Sequence, residues 1–353
     1  RLPFDTPRII GKVGVSGPFE NVTVRVDGRF DDATLYGYQL GAGRGVIDVD
    51  KNAVHVRDGS EVKVGTGLVR ASGTLALPGK QLTLDARALD VPLAEVLRPA
   101  KPPERPTGVV NARATISGTA DGKGPLVVEA SGSVRRAQLY SVKPPADLEV
   151  NARVVVRDDV VVLERAHAAA AGVAARVRGE VFVKEERLKL AISAEATTNA
   201  LAWVPDVPTE VTVRDARFEG TITGPYRSVR VIGEAQSGGG VAYGVPFTDA
   251  RGQVTASASE VTVEHLAGSI ARGVIEQLRP IVVELDGNRR IRGAVRARGL
   301  RLDELKTPDG EALPLAGVGD AEAWLSGPAS SPTVTFAAAT SGLTISGERL
   351  DKA

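Results

Sequence analysis

Apolar and polar residues alternate along most of this chain. In VTVRVDG, Val22, Val24 and Val26 fall on one side of an extended segment, and Thr23, Arg25 and Asp27 on the other. RLKLAIS does the same with Leu188, Leu190 and Ile192, EVTVEHL with Val261 and Val263, IVVEL with Ile281, Val283 and Leu285, and TVTF with Val334 and Phe336. A period of two predicts strands with one apolar and one solvated face. Short polar links separate the runs: Asp50-Lys51-Asn52, Arg157-Asp158-Asp159, Lys184-Glu185-Glu186 and Asp286-Gly287-Asn288. These read as hairpin turns and predict antiparallel pairing. The stretch LALPGKQLTLDARALDVPLAEVL adds a further element. Leu75 and Leu77, a turn at Pro78-Gly79-Lys80, then Leu82 and Leu84 read as a hairpin, and Leu93, Val96 and Leu97 follow at helical spacing.

The pattern repeats. VGVSGPFENVTVRVDGRF, ATISGTADGKGPLVVEASGSV, GTITGPYRSVRVIGEA and AWLSGPASSPTVTFAAA each place a Ser/Thr-Gly turn between two apolar strands. Their glycines, Gly17, Gly118, Gly224 and Gly327, are 101, 106 and 103 residues apart. The next strands also match in wording: ATLYGYQL, AQLYSVKP, GVAYGVPF and GLTISGERL. The helical tail has counterparts in TTNALAWV (Thr197 to Val204) and RGLRLDELK (Arg298 to Lys306), and proline-rich crossovers follow each tail. Proline cannot donate to a strand ladder, so these crossovers read as exposed connections. A module of about a hundred residues is thus expected some three and a half times, over residues 1–97, 98–204, 205–305 and, in part, 306–353.

A sheet with a whole apolar face must cover it by packing as a sandwich, closing as a barrel or curling into a trough. Aromatic residues, which usually anchor thick cores, make up 4% of the chain. The strand wording also continues across the module boundaries. The expected fold is therefore all-β: an elongated, repeat-built, antiparallel curved sheet, or β-groove, with short helical tails at the repeat ends. About twenty strands at ~4.8 Å spacing would run for roughly 100 Å. A long apolar channel suits an acyl chain, since each buried CH₂ contributes about 0.8 kcal/mol without directional demands. The candidate lining residues are Val22, Val24, Val26, Leu75, Leu77, Leu82, Leu84, Leu188, Leu190, Ile192, Val261, Val263, Ile281, Val283, Leu285, Val334 and Phe336. The tails around Leu93, Leu201 and Leu302 would brace the groove edge.

Composition narrows the function classes. Of 353 residues, 42% are hydrophobic and 25% charged, as in a globular chain, and the net charge of +1 lacks the basic excess of a nucleic-acid binder. Absence of cysteine excludes disulfides and thiolate chemistry. With no methionine, the sequence reads as part of a longer protein, and no apolar run reaches the roughly 18 residues of a membrane span. The three histidines, His55, His167 and His265, occupy different places within their modules and have no metal-ligand spacing. GAGRGV (Gly41 to Val46) lacks the spacing of a phosphate loop, SGGGVAYG (Ser237 to Gly244) reads as a bend in a strand, and no nucleophile elbow or paired-carboxylate motif occurs. No catalytic residue, metal or cofactor is expected. Arg289, Arg290, Arg292, Arg296, Arg298 and Arg301 could meet lipid phosphates at a groove edge. Their alternation with Val295 and Ala297 favours a solvated outer face.

The SGP-turn, alternating strand and LYGY wording resembles the AsmA-like and TamB-like proteins of diderm bacterial envelopes. So does the hairpin and tail from Gly73 to Leu97. These belong to the repeating-β-groove, or bridge-like, lipid-transfer superfamily, and the resemblance covers essentially the whole chain. It implies a long taco-shaped sheet with an apolar groove that holds phospholipid acyl chains. It also implies an inner-membrane anchor outside this segment, a periplasmic location, phospholipid movement towards the outer membrane and, for TamB-like members, an outer-membrane barrel assembly protein as partner. The rival expectation from the residues alone is a structural or adhesive rod of β-sandwich repeats without a lipid ligand. An enzyme domain is a distant third.

Overall fold

The computed structural model describes residues 4–5, 8–35, 38–98, 105–120, 124–138, 146–170, 172–197, 211–242, 245–286, 289–305, 311, 313–329 and 331–352. The protein is all-β, with 78% of its residues in strands and 3% in helix, and its antiparallel sheet is curved and not closed. The strands are β1 (Phe4–Asp5), β2 (Ile9–Ser16), β3 (Thr23–Phe30), β4 (Ala33–Leu35), β5 (Tyr38–Leu40), β6 (Gly43–Val49), β7 (Ala53–Val64), β8 (Gly67–Ala76), β9 (Gln81–Pro92), β10 (Thr107–Thr119), β11 (Leu126–Gln138), β12 (Ala146–Arg157), β13 (Val160–Ala170), β14 (Val173–Phe182), β15 (Arg187–Ala196), β16 (Val211–Pro225), β17 (Arg230–Ala242), β18 (Val245–Ala256), β19 (Glu260–Ile270), β20 (Gly273–Glu284), β21 (Ile291–Arg301), β22 (Leu315–Ser326), β23 (Thr333–Ile345) and β24 (Glu348–Lys352). Among the described residues one α-helix, α1 (Leu93–Leu97), follows β9.

The chain divides into two compact units, residues 1–171 with 176–184 and residues 172–175 with 185–353. In unit one, β2, β3 and β6 to β13 pair in that order, each antiparallel to the next. β1, β4 and β5 form a separate three-stranded sheet. In unit two, β15 to β24 pair in sequence order, again all antiparallel. No described pairing returns from the last strand of either run to its first, so each unit is an open sheet. Neighbouring hairpins account for most of this order, because a short polar link can only reverse the chain, and the longer connections after β9, β15 and β21 also lead to the adjacent strand.

The hundred-residue repeat corresponds to six strands. Its four glycines sit at the β2–β3, β10–β11, β16–β17 and β22–β23 reversals, and all have positive φ: Gly17 101°, Gly118 144°, Gly224 113° and Gly327 98°. L-residues avoid this backbone conformation, so the repeat spells glycine there.

Nearer the other end of the strands, β-bulges recur. Ladder registers shift beside Gly59, Arg136, His265 and Gly299 among others, each with φ above zero. Side chains fix several: Asp90 N–H donates to Asn111 at 3.1 Å, Arg136 N–H to Asp147 at 2.7 Å and Gly299 N–H to Asp320 at 2.9 Å. Bulges bend and over-twist strands, which is how a sheet acquires curvature.

The third helical tail differs from its sequence expectation. β21 continues to Arg301, whose N–H donates to Ala271 O at 2.9 Å, and only a 3-10 turn follows at Leu302–Glu304. Ladder bonding wins over helical spacing there, and Leu300, 6% exposed, is buried in place of Leu302. Of the second tail only Thr197 is described; Leu201 and the prolines at 205 and 208 lie outside the described residues, as do Pro99, Pro102, Pro103 and Pro308.

Candidate functional site

Residues directly opposite on paired strands point to the same face, so register converts sequence alternation into transverse rows. In unit one, Val13, Val26, Ile47, Val56, Gly73, Leu84, Ile116, Val128, Val154 and Leu163 form one row across ten strands. Two residues further along each strand, towards the glycine turns, runs a second: Val15, Val24, Val49, Val54, Leu75, Leu82, Gly118, Leu126, Val156 and Val161. In unit two, Leu190, Ile222, Val231, Ala256, Val261, Val283 and Ile291 form a row, and Ile192, Gly220, Gly233, Val254, Val263 and Ile281 lie beside it. Val334 faces Leu325, and Phe336 faces Ala323.

The register therefore brings most of the sequence-derived lining residues together within their own units. Val22 stands just before β3, Leu77 just after β8 and Leu285 just after β20; Leu188 is the second residue of the β15 ladder, opposite Gly224. None of the seventeen is buried. Thirteen are half-buried, while Leu77, Leu285, Val334 and Phe336 are exposed at 41%, 40%, 49% and 74%. A sandwich would bury its facing rows beneath a second layer. The exposure of these residues means that, among the described residues, no second layer covers the apolar face of either unit.

Two features of this face were not legible in the alternation. A row of small side chains, Ala71, Ala86, Ala114, Ala130, Ala152 and Ala166, adjoins the aliphatic rows of unit one. Its signal was present, since four of these alanines lie two residues from a first-row aliphatic. In unit two, Gly220 and Gly233 face each other, and the ring of Phe218 lies across both, so that a Cβ on either would fall within 2.8 Å of its Cζ. Beyond the alanine row, α1 folds onto the same face. Leu93 joins Val110, Val134 and Ala137 in a buried cluster, with Leu97, Ala112 and Leu148 packed against it.

The opposite face is polar and dense in ion pairs. Asp48, with its side chain 4% exposed, accepts bonds from Arg25 at 2.8 and 2.9 Å and from Arg57 at 2.8 Å. The Arg25 bond, more than any other influence, holds its carboxyl at about 2, against the usual 3.8. Arg44 lowers Asp27 in the same way, and the N–H groups of Asn52 and Ala53 lower Asp50. Among the arginines of the 289–301 segment, Arg292 pairs with Glu284, Arg296 with Glu322, Arg298 with Glu276 and Arg301 with Asp303. Carboxylates across the strands occupy the first three of these guanidinium groups, and Asp303, in the turn after β21, occupies that of Arg301. Of the histidines, His55 contacts Thr74 at 3.0 Å, His167 lies on the polar face of β13, and His265 occupies a bulge in β19.

Among the described residues, no group of three or more His, Asp or Glu is placed to hold a metal ion, and no helix is long and apolar enough to cross a membrane. Comparison with protein-family models and with curated proteins finds no match to this chain.

Proposed function

We propose that the apolar face is the wall of a groove that lodges phospholipid acyl chains, and that the chain is a segment of a periplasmic bridge-like protein moving phospholipid between the inner and outer membranes of a diderm envelope. The carrying observation is the pair of adjoining aliphatic rows that crosses ten strands of unit one, interrupted by Gly73 in one row and Gly118 in the other. A soluble protein seldom leaves so large an apolar surface without an occupant. An acyl chain fits it, because burial of about a dozen methylenes yields on the order of 10 kcal/mol before the costs of ordering. The headgroup stays in water at the mouth. No side chain performs chemistry, and the lining offers no polar site to fix a lipid, so a chain can slide along it. The sequence resemblance to AsmA-like and TamB-like proteins supports the same reading and supplies the outer-membrane barrel assembly protein as the expected partner.

Extraction of a fluorescent phospholipid from vesicles tests this proposal. Val24→Asp, Leu190→Asp and Val283→Asp each place a charge among half-buried side chains rather than in a packed core, so the strand content should persist. Extraction should fall at least tenfold in each. Undiminished extraction by all three variants, or no extraction by the unaltered protein, would contradict the proposal.

A further inference from the structure

The polar face of unit one carries cations that its own carboxylates do not take up. Arg70, Arg87 and Arg113 stand directly opposite one another on β8, β9 and β10. Like charges in register on adjacent strands repel. Arg70 has Glu61 at 3.3 Å, but among the described residues Arg87 and Arg113 have no ion-pair partner. The same level continues through Ser131, Asn151 and His167 on β11, β12 and β13. A depression of about 570 Å³ opens there, with Arg113 at one side and Arg165 and His167 at the other.

Arg153 and Arg165 also stand directly opposite each other. Arg153 engages both Glu129 and Glu164, while Arg165 has no ion-pair partner among the described residues. Asp85, the remaining carboxylate at this level, accepts the Thr115 hydroxyl at 2.8 Å. Between these ends the depression is lined by Thr115, Ser131 and Asn151 and by the Glu129 carboxylate, whose charge Arg153 offsets. The guanidinium groups of Arg113 and Arg165, without ion-pair partners among the described residues, flank it on β10 and β13, three strand spacings and two residues of rise apart, or roughly 16 Å between their backbones.

We propose that this depression binds an elongated oxyanion bearing two or more phosphate groups. Arg113 and Arg165 take the end groups, Ser131 and Asn151 hydrogen-bond the middle, and Arg87 adds its field from the adjoining strand. Arginine suits such ligands because its planar fork meets phosphate oxygens two at a time. The bound anion also relieves the repulsion along the arginine row. The site lies on the face opposite the proposed acyl-chain groove and stands independently of it. Phosphate groups of this kind come either from a soluble oligophosphate or from lipid headgroups arrayed at a membrane surface.

Calorimetric titration of the full chain with inorganic tripolyphosphate and with orthophosphate, alongside flotation with phosphatidylglycerol and phosphatidylcholine vesicles, tests the site. Tripolyphosphate should bind at least tenfold more tightly than orthophosphate. The double variant R113Q/R165Q should lose at least tenfold of that affinity with its thermal midpoint unlowered, because both residues are exposed. R292Q, which removes an arginine already paired with Glu284, should bind as the unaltered protein does. Binding to phosphatidylglycerol vesicles alone, abolished in R113Q/R165Q, would support the site and assign its phosphates to lipid. No binding to either probe, or equal weakening by R113Q/R165Q and R292Q, would overturn the proposal.

Discussion

Asp48 illustrates how this sheet holds charge without a core. Its carboxylate is covered by two guanidinium groups, Arg25 and Arg57, rather than by packed hydrocarbon. Its folded value lies at about 2, below the ordinary 3.8. A depressed carboxylate stabilises the folded state fully above its unfolded value, and that contribution disappears as pH falls through the folded value. The thermal midpoint of the unaltered protein should therefore exceed that of Asp48→Asn at neutral pH. The gap should close as pH falls from about 4 to about 2. A gap that stays constant down to pH 2 would show that the ion pairs do not act through Asp48. At the residue scale the alternation made the large side chains of the apolar face legible, because a period of two assigns Val24 or Leu190 to a face whatever the strand pairs with. The alanine row was not legible, since alanine suits either face and only register aligns Ala86 with Ala114. That Arg87 and Arg113 have no ion-pair partner among the described residues was also hidden, because it depends on which carboxylates stand opposite them.

At the scale of elements, turns were easier to read than tails. The repeat glycines marked the hairpin reversals because a positive φ leaves the sequence no other good choice. Gly224, at φ 113°, should tolerate no side chain freely: Gly224→Ala is expected to cost about 1–3 kcal/mol through backbone strain. Gly79 provides the contrast, since φ there is not positive and an added Cβ would meet only Gln81 Cγ, at 3.6 Å. Gly79→Ala should leave stability within about 0.5 kcal/mol, and chemical denaturation of both variants measures the difference. The bulges at Arg136 and His265 escaped the sequence reading, because neither residue bears an outward sign of a left-handed backbone. The tail at Leu93–Leu97 folded as its spacing predicted and lies on the apolar face, where Leu93 closes a small core. The tail at Leu302 did not, because β21 keeps its ladder bonds as far as Arg301.

At the scale of the molecule, each unit is one layer of antiparallel sheet whose two faces have separate chemistry. All-β class, antiparallel pairing and the scarcity of a thick core followed from alternation, short polar turns and few aromatic rings. What register adds is continuity: a row such as Val13 to Leu163 exists only because successive hairpins keep the same side of every strand on the same face. In the proposed function, acyl chains occupy these rows. Native mass spectrometry of the purified protein, with extraction and identification of anything bound, tests it most directly. The unaltered chain should carry co-purifying phospholipid, and Val24→Asp or Val283→Asp should release it while remaining folded. A lipid-free protein that also takes up no added phospholipid would contradict the account.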